Sequence, residues 1–350
     1  MTDSREKQVP PTSKACGENG PWREALADPP ELKLPLLWQG EAGERYQDLP
    51  RDCPPGALFT NDASTKEGGS SEPCRPEGIV IRFRPCRTAL NVSAICDYTL
   101  NCYGGCAHGC VYCYARFIQR FYPRTEPWGQ FVDVKLGVLE ALRRQLRRLR
   151  PGRVFMSSAC DGWQPVEAVY RLSRKSAELL LAYGFSISIL TKSQLILQDL
   201  DSFADRPVTV GISLSTLDQE LAHLWEPRAA PPAKRLEVLR AARACGLKTT
   251  LMIAPILPAL SDNRQELRRM MEVGLEAGAE EICVDAFNRR PKVWESVCRL
   301  LEAHFPGLVG WYRRLLFDET TRARYLTQLR QRVVQVAQSL GVRRSVDICF

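Results

Sequence analysis

From Gly78 onward, runs of β-branched and apolar residues alternate with segments of helical period, and this alternation restricts the chain to an α/β architecture with a largely parallel sheet. IVIRF (79–83), VFMSS (154–158), SISILT (186–191), VTVGIS (208–213), TTLMIAPI (249–256) and EICVDAF (281–287) read as strands. Between them, Leu139, Leu142, Leu146 and Leu149 recur at helical spacing, and further helices are expected over 167–183, 233–244, 263–277 and 293–304. The pattern loosens after residue 307 and resumes as a helix over 319–340. At least five βα repeats emerge. They are compatible with a closed or partial barrel and with an open doubly wound sheet, and both present chemistry at the carboxyl ends of the strands. No GxGxxG or Walker-type GxxxxGKS/T run follows any strand, which argues against a glycine-loop nucleotide site.

Residues 1–78 have a different texture. They hold 11 of the 24 prolines, interrupted by GEAGE and KEGGSSEP, and read as an irregular extension. The remainder divides into a core over 79–306 and a helical extension over 307–350. No apolar run approaches the roughly 20 residues of a membrane span, and the polar start MTDSREKQVPP has no apolar stretch behind it. A cytoplasmic protein without a membrane partner is therefore expected. In that setting 14 cysteines are ligands or free thiols rather than a disulfide framework. Cys16, Cys53 and Cys74, widely spaced, read as unliganded. The net charge of +8 permits a polyanionic partner without requiring one.

The chemistry concentrates in NCYGGCAHGCVYCYAR, where Cys106, Cys110 and Cys113 stand at C-x3-C-x2-C on a glycine-rich loop. Three thiolates holding an iron–sulfur cluster leave one iron with open coordination positions, the prerequisite for binding a small molecule at the metal. A second arrangement stays open on spacing alone. Cys102, with His108 as a further donor, would complete a closed four-ligand zinc site, giving a non-enzymatic zinc–cysteine protein that binds nucleic acid through its arginines. Cys86, Cys96 and Cys102 follow no auxiliary-cluster spacing and read as structural.

The C-x3-C-x2-C run with Tyr112 directly before its third cysteine resembles the signature of the radical S-adenosylmethionine (SAM) superfamily. Further segments, WGQFVDVK (128–135), SSACDGWQPVE (157–167), TKS (191–193), GISLSTLD (211–218), EPRAAPPAKRLE (226–237) and APILP (254–258), together resemble the spore photoproduct lyase-related group. The similarity runs in order from about Leu90 to Ala279 and is absent from the first 78 residues. It implies a partial (β/α)6 TIM-like barrel of the radical SAM type. It also implies a 4Fe-4S cluster on Cys106, Cys110 and Cys113, with SAM on the open iron. Reductive cleavage of SAM to a 5'-deoxyadenosyl radical, which abstracts hydrogen from an unidentified substrate, follows. So does a flavodoxin- or ferredoxin-like electron donor. Repair of a DNA photoproduct is the narrower alternative, with nucleic acid as the partner.

By the same resemblance Lys192 and Ser213 contact SAM, and the chemistry agrees, because an ammonium and a hydroxyl both complement a carboxylate. SSACDGWQP stands where relatives carry a Gly-Gly-Glu run, so backbone carbonyls around Ser158 are expected to receive the SAM ammonium. Tyr112, Ala254 and Ile256 are expected beside the adenine. Cys160 is a candidate hydrogen donor to the substrate radical, although it is offset by a couple of residues from the cysteine of the lyase. Asp161 and Glu226 are expected either to meet substrate or to pair with Arg228. Arg116, Arg120 and Arg124 are candidates to meet an anionic substrate. Arg143, Arg144, Arg147 and Arg148 share the exposed face of one helix.

Overall fold

The structure is a computed structural model that describes residues 78–120, 124–290 and 292–350. The expected extension over 1–78, with Cys16, Cys53 and Cys74, falls outside the described residues except for Gly78. In chain order the elements begin with β1 (Val80–Pro85), β2 (Leu90–Val92), β3 (Tyr98–Leu100) and β4 (Tyr103–Gly104). There follow β5 (Phe131–Leu136), α1 (Val138–Leu146), β6 (Arg153–Met156), α2 (Glu167–Tyr170), α3 (Leu172–Ala182) and β7 (Ser186–Thr191). The middle of the chain forms β8 (Val208–Leu214), α4 (Gln219–Trp225), α5 (Pro232–Ala244), β9 (Lys248–Ile253), α6 (Arg264–Glu276) and β10 (Glu281–Val284). Then come α7 (Val293–His304), α8 (Val309–Phe317), α9 (Glu319–Ser339) and β11 (Val346–Ile348).

The main sheet has the order β11-β10-β9-β8-β7-β6-β3-β2. Every pairing from β3 to β11 is parallel, and β2 is antiparallel at one edge. The two edges do not pair, so the sheet is a partial, TIM-like barrel. Five of its strands, β6 to β10, belong to the expected βα series, and β11 is an addition that the helical reading of 307–350 did not contain.

The first expected strand, IVIRF, lies elsewhere. β1 pairs with β5 in a separate three-stranded sheet, and the place beside β6 is taken by the three-residue β3. A three-residue YTL run is too short to show a period of two, which is why the sequence offered the longer IVIRF instead. The helix expected over 167–183 also breaks. Arg171 adopts φ 54°, and the buried Glu167 carboxylate accepts the backbone N–H groups of Ser173 (3.0 Å) and Arg174 (2.9 Å), capping α3 from inside the segment.

The two faces of the main sheet differ. Leu251 points at α6, where a Cβ at Gly274 would sit 2.3 Å from a Leu251 methyl carbon. Its row, including Ile212 and Ile282, is fully buried against helices. The alternate row runs from Ser213 through Met252 and Cys283 to Asp347. Met252 and Cys283 are only half-buried and face the inner side, away from α5, α6 and α9. Leu251→Ala is expected to destabilise by ~2–5 kcal/mol through lost transfer energy and an unfilled cavity, read as a lower urea midpoint at unchanged slope.

Candidate active site

The cysteine loop leaves β4 along a tight, glycine-containing path. Gly105 has φ 79°, and a Cβ there would lie 2.7 Å from Phe131. Gly109 and Gly129 face each other so closely that a Cβ on Gly129 would come within 2.7 Å of the Gly109 Cα. Gln164 accepts from the Ala107 N–H (2.8 Å) and donates to the Gly105 carbonyl (3.3 Å). The Val111 N–H reaches the Trp225 carbonyl (2.8 Å), and Arg228 donates to the carbonyls of Ala107 and Gly129.

This path brings Cys106, Cys110 and Cys113 into electrostatic contact with one another, the first two buried and the third half-buried. Burial pushes all three thiols up, so as thiolates they require a cationic partner. The His108 and Ala115 N–H groups donate to the Cys106 and Cys113 sulfurs, which favours thiolate. A donor set of three thiols with N–H support suits an iron–sulfur cluster.

Cys102 does not join them. It packs in the core with its sulfur 3.4 Å from Ser176 Oγ, so the four-thiol arrangement is not formed. His108 turns Nδ1 to Asp161 (3.4 Å). Among the described residues no three His, Cys, Asp or Glu side chains gather closely enough for a single metal ion.

At the neighbouring strand ends, Lys192 Nζ lies 2.6 Å from Ser213 Oγ, which in turn donates to the Ala254 carbonyl (2.9 Å). Lys192 is also 3.9 Å from Glu226 Oε1 and 5.8 Å from the Tyr112 ring centre. Glu226 is buried and heavily partnered. It accepts from Arg235, from the Tyr112 hydroxyl and from Ser215 Oγ (2.7 Å). Burial alone would raise its pKa, but Arg235 and then Lys192 outweigh that and hold it at about 2. Arg235 meanwhile donates to the carbonyls of Ser213 (2.8 Å) and Ala230 (2.6 Å).

Glu226 pairs with Arg235, while Asp161 accepts from Thr191 Oγ1 (2.8 Å), the Lys192 N–H (2.8 Å) and the Trp163 N–H (2.9 Å). Both carboxylates organise strand ends from within. Tyr112 and Ile256 are buried, Tyr112 stacking on Trp225 with ring centres 6.2 Å apart.

The loop after β6 turns sharply at Ser157, φ 70°, and a Cβ at Gly162 would sit 2.3 Å from Ser157 Oγ. Asn101 braces it, donating to Ser158 Oγ (3.1 Å) and accepting from the Ala159 N–H (2.8 Å). The Ser158 carbonyl already accepts the Tyr114 hydroxyl. Cys160 is half-buried, 3.8 Å from Asn101 Oδ1, and burial pushes its thiol up to about 12 against the opposing influence of Lys135. Asn101, Tyr114 and Arg235 were not foreseen as site residues. The first two flank the cysteines inside the same motif, and Arg235 lies in EPRAAPPAKRLE.

Arg124 is corrected as a substrate contact, because it is buried in an ion pair with Asp133. Arg116 donates to the Cys110 carbonyl (3.2 Å) and lies 5.7 Å from the Trp128 ring centre. The side chain of Arg120 is outside the described set. Arg143, Arg144, Arg147 and Arg148 occupy the exposed face of α1 and the turn after it.

The Radical SAM superfamily model matches residues 100–272. The uncharacterized protein Rv2578c of Mycobacterium tuberculosis (strain H37Rv) is 36% identical over 255 residues, covering 68% of this chain and 74% of that protein. The radical SAM Nα-GlyT isomerase of Pseudomonas phage M6 is 23% identical over 253 residues, covering 71% of this chain and 48% of the phage protein. A spore photoproduct lyase variant with bound AdoMet and dinucleoside spore photoproduct shares the fold, with TM-score 0.55 and 13% identity over 81% of this chain and 87% of the lyase chain.

Because Glu226 is held low by Arg235 and Lys192, the stability it supplies is complete above its ordinary value of 4.5 and is lost as the pH falls toward 2. Glu226→Gln leaves Arg235 buried without a counter-charge. It is expected to lose ~3–5 kcal/mol at neutral pH and to flatten the stability profile between those limits, measured by urea denaturation at a series of pH values.

Proposed function

We propose, on the premise that this chain belongs to the radical SAM superfamily and is an enzyme, that Cys106, Cys110 and Cys113 hold a 4Fe-4S cluster beside a SAM site formed by Lys192, Ser213 and Ala254. The observation that carries this reading is the meeting of the three-thiol loop with the Lys192–Ser213 pair at the carboxyl ends of parallel strands. When bound, the cluster and SAM supply one-electron reductive cleavage and a 5'-deoxyadenosyl radical that takes a hydrogen atom from substrate.

The protein's own part is electrostatic and geometric. Lys192 and Ser213 offer an ammonium and a hydroxyl to the SAM carboxylate, and Glu226 with Asp161 fixes where they stand. Tyr112 and Trp225 exclude water beneath Lys192. The braced loop at Ser158 offers backbone oxygens toward the SAM ammonium. Cys160, half-buried and 3.8 Å from Asn101 Oδ1, takes in this reading the role of returning a hydrogen atom to a substrate radical. The reading carries with it a flavodoxin- or ferredoxin-like electron donor and a cytoplasmic location, where thiols stay reduced.

A nucleic-acid substrate is a second reading, supported by the exposed basic residues Arg289, Arg290 and Lys292 just beyond β10 and by the dinucleoside bound to the lyase of like fold. Among the described residues no helix is long and apolar enough to cross a membrane.

Anaerobic reconstitution with iron and sulfide is expected to give a reduced-cluster spin signal that SAM perturbs, with 5'-deoxyadenosine formed. Replacing Cys106, Cys110 and Cys113 by Ala abolishes iron uptake, and a wild-type protein that takes up no iron overturns the proposal. Lys192→Ala is expected to retain iron while binding SAM at least tenfold more weakly, about the 1.5–3 kcal/mol of a charge-assisted hydrogen bond. Cys160→Ala is expected to shift the product distribution at unchanged iron content, and identical products remove the donor role.

A further inference from the structure

Two cysteines outside the site meet on the inner face of the sheet. β10 and β11 are parallel, with Cys283 opposite Asp347, and the ladder continues past β11 because the Cys349 N–H donates to the Val284 carbonyl at 2.9 Å. Side chains alternate along an extended segment, so Cys349 returns to the face of Asp347 and Cys283. The other parity confirms this. Ile348 and Phe350 turn to the helix side, where the Arg330 guanidinium of α9 lies 5.5 Å from the Phe350 ring centre. The two thiols are therefore same-face neighbours on adjacent strands, offset diagonally by two residues, and each influences the ionisation of the other.

The pair is asymmetric. Cys349 is exposed and Cys283 half-buried. Cys283 lowers the Cys349 pKa and Cys349 raises that of Cys283, while Asp285 and Asp347 oppose thiolate formation at both strand ends. Cys245 and Cys298, in contrast, each meet a carboxylate, Asp201 at 3.6 Å and Glu302 at 3.3 Å.

We propose that Cys283 and Cys349 are a reversible dithiol–disulfide pair that exchanges with small-molecule disulfides, with Cys349 as the attacking thiol and Cys283 as the resolving one. The Cys349 thiolate attacks one sulfur of a disulfide such as oxidised glutathione, forming a mixed disulfide and expelling one thiolate. Cys283 then gives up its proton and attacks the Cys349 sulfur, closing the protein disulfide and expelling the second thiolate. Two protein thiols are oxidised, and one small disulfide becomes two thiols. The bond ties the segment after β11 to β10 in the row that carries Ser213, roughly 10 Å away across two strand spacings. It therefore changes the inner wall next to the proposed site without touching a residue of it, and the pair stands whether or not the SAM reading does.

The full-length protein, kept anaerobic, is treated with oxidised glutathione, its remaining thiols are alkylated, and its peptides are analysed by mass spectrometry. The expected result is a linked peptide pair joining Cys283 to Cys349, reversed by dithiothreitol, with Cys245 and Cys298 still alkylated. Cys283→Ser is expected to trap glutathione on Cys349 at least tenfold more than wild type, and Cys349→Ser to leave Cys283 alkylated. Alkylation of both cysteines in the treated wild type, or equal glutathione on Cys349 with and without Cys283, overturns the proposal.

Discussion

A buried carboxylate, Glu226, is the point on which the strand ends depend. Its charge is tolerable only because Arg235 and Lys192 answer it and the Tyr112 and Ser215 hydroxyls complete its hydrogen bonds. Those partners come from the cysteine loop, the ends of β7 and β8, and α5. One desolvated charge therefore aligns elements that are far apart in the chain, and Asp161 does the same for the Thr191–Trp163 corner.

The same neighbours fix the course of the glycine-turned loop that carries Cys106, Cys110 and Cys113. Several carbonyls and amides of the cysteine loop are taken by Gln164, Trp225, Arg228 and Arg116, so the path of the loop is set by neighbours as well as by its own propensities. Cys102 stands four residues before Cys106 yet belongs to the hydrophobic core, because β3 and β4 carry it past the loop and against α3. The chain belongs to the radical SAM superfamily and shares a partial barrel with spore photoproduct lyase.

Much of the architecture was readable in advance. β6 to β10 announce themselves as β-branched runs with helices between, since a strand covered by helices needs continuous apolar residues. β3 and β11 did not, being three residues long and lacking any period. The break at Arg171 also escaped notice, because a leucine-rich helical stripe carries no mark of a left-handed residue when the capping acceptor is a glutamate inside the stripe. At the site, Lys192 and Ser213 were legible from their places at strand ends. The partners of Glu226 and Asp161 were not, since charge pairing in a core is settled by three-dimensional neighbours rather than by spacing.

The amino-acid sequence by itself determined the βα order, the cysteine spacing and the residue types able to grip a metal cluster, because hydrophobic period and side-chain chemistry are local properties. Only the tertiary structure decided that Cys102 belongs to the core, which carboxylates are spent on internal pairing, and that Cys283 and Cys349 share one face. Those outcomes follow from strand register and burial, which sum contributions from segments well separated along the chain and leave no trace in any short stretch of it.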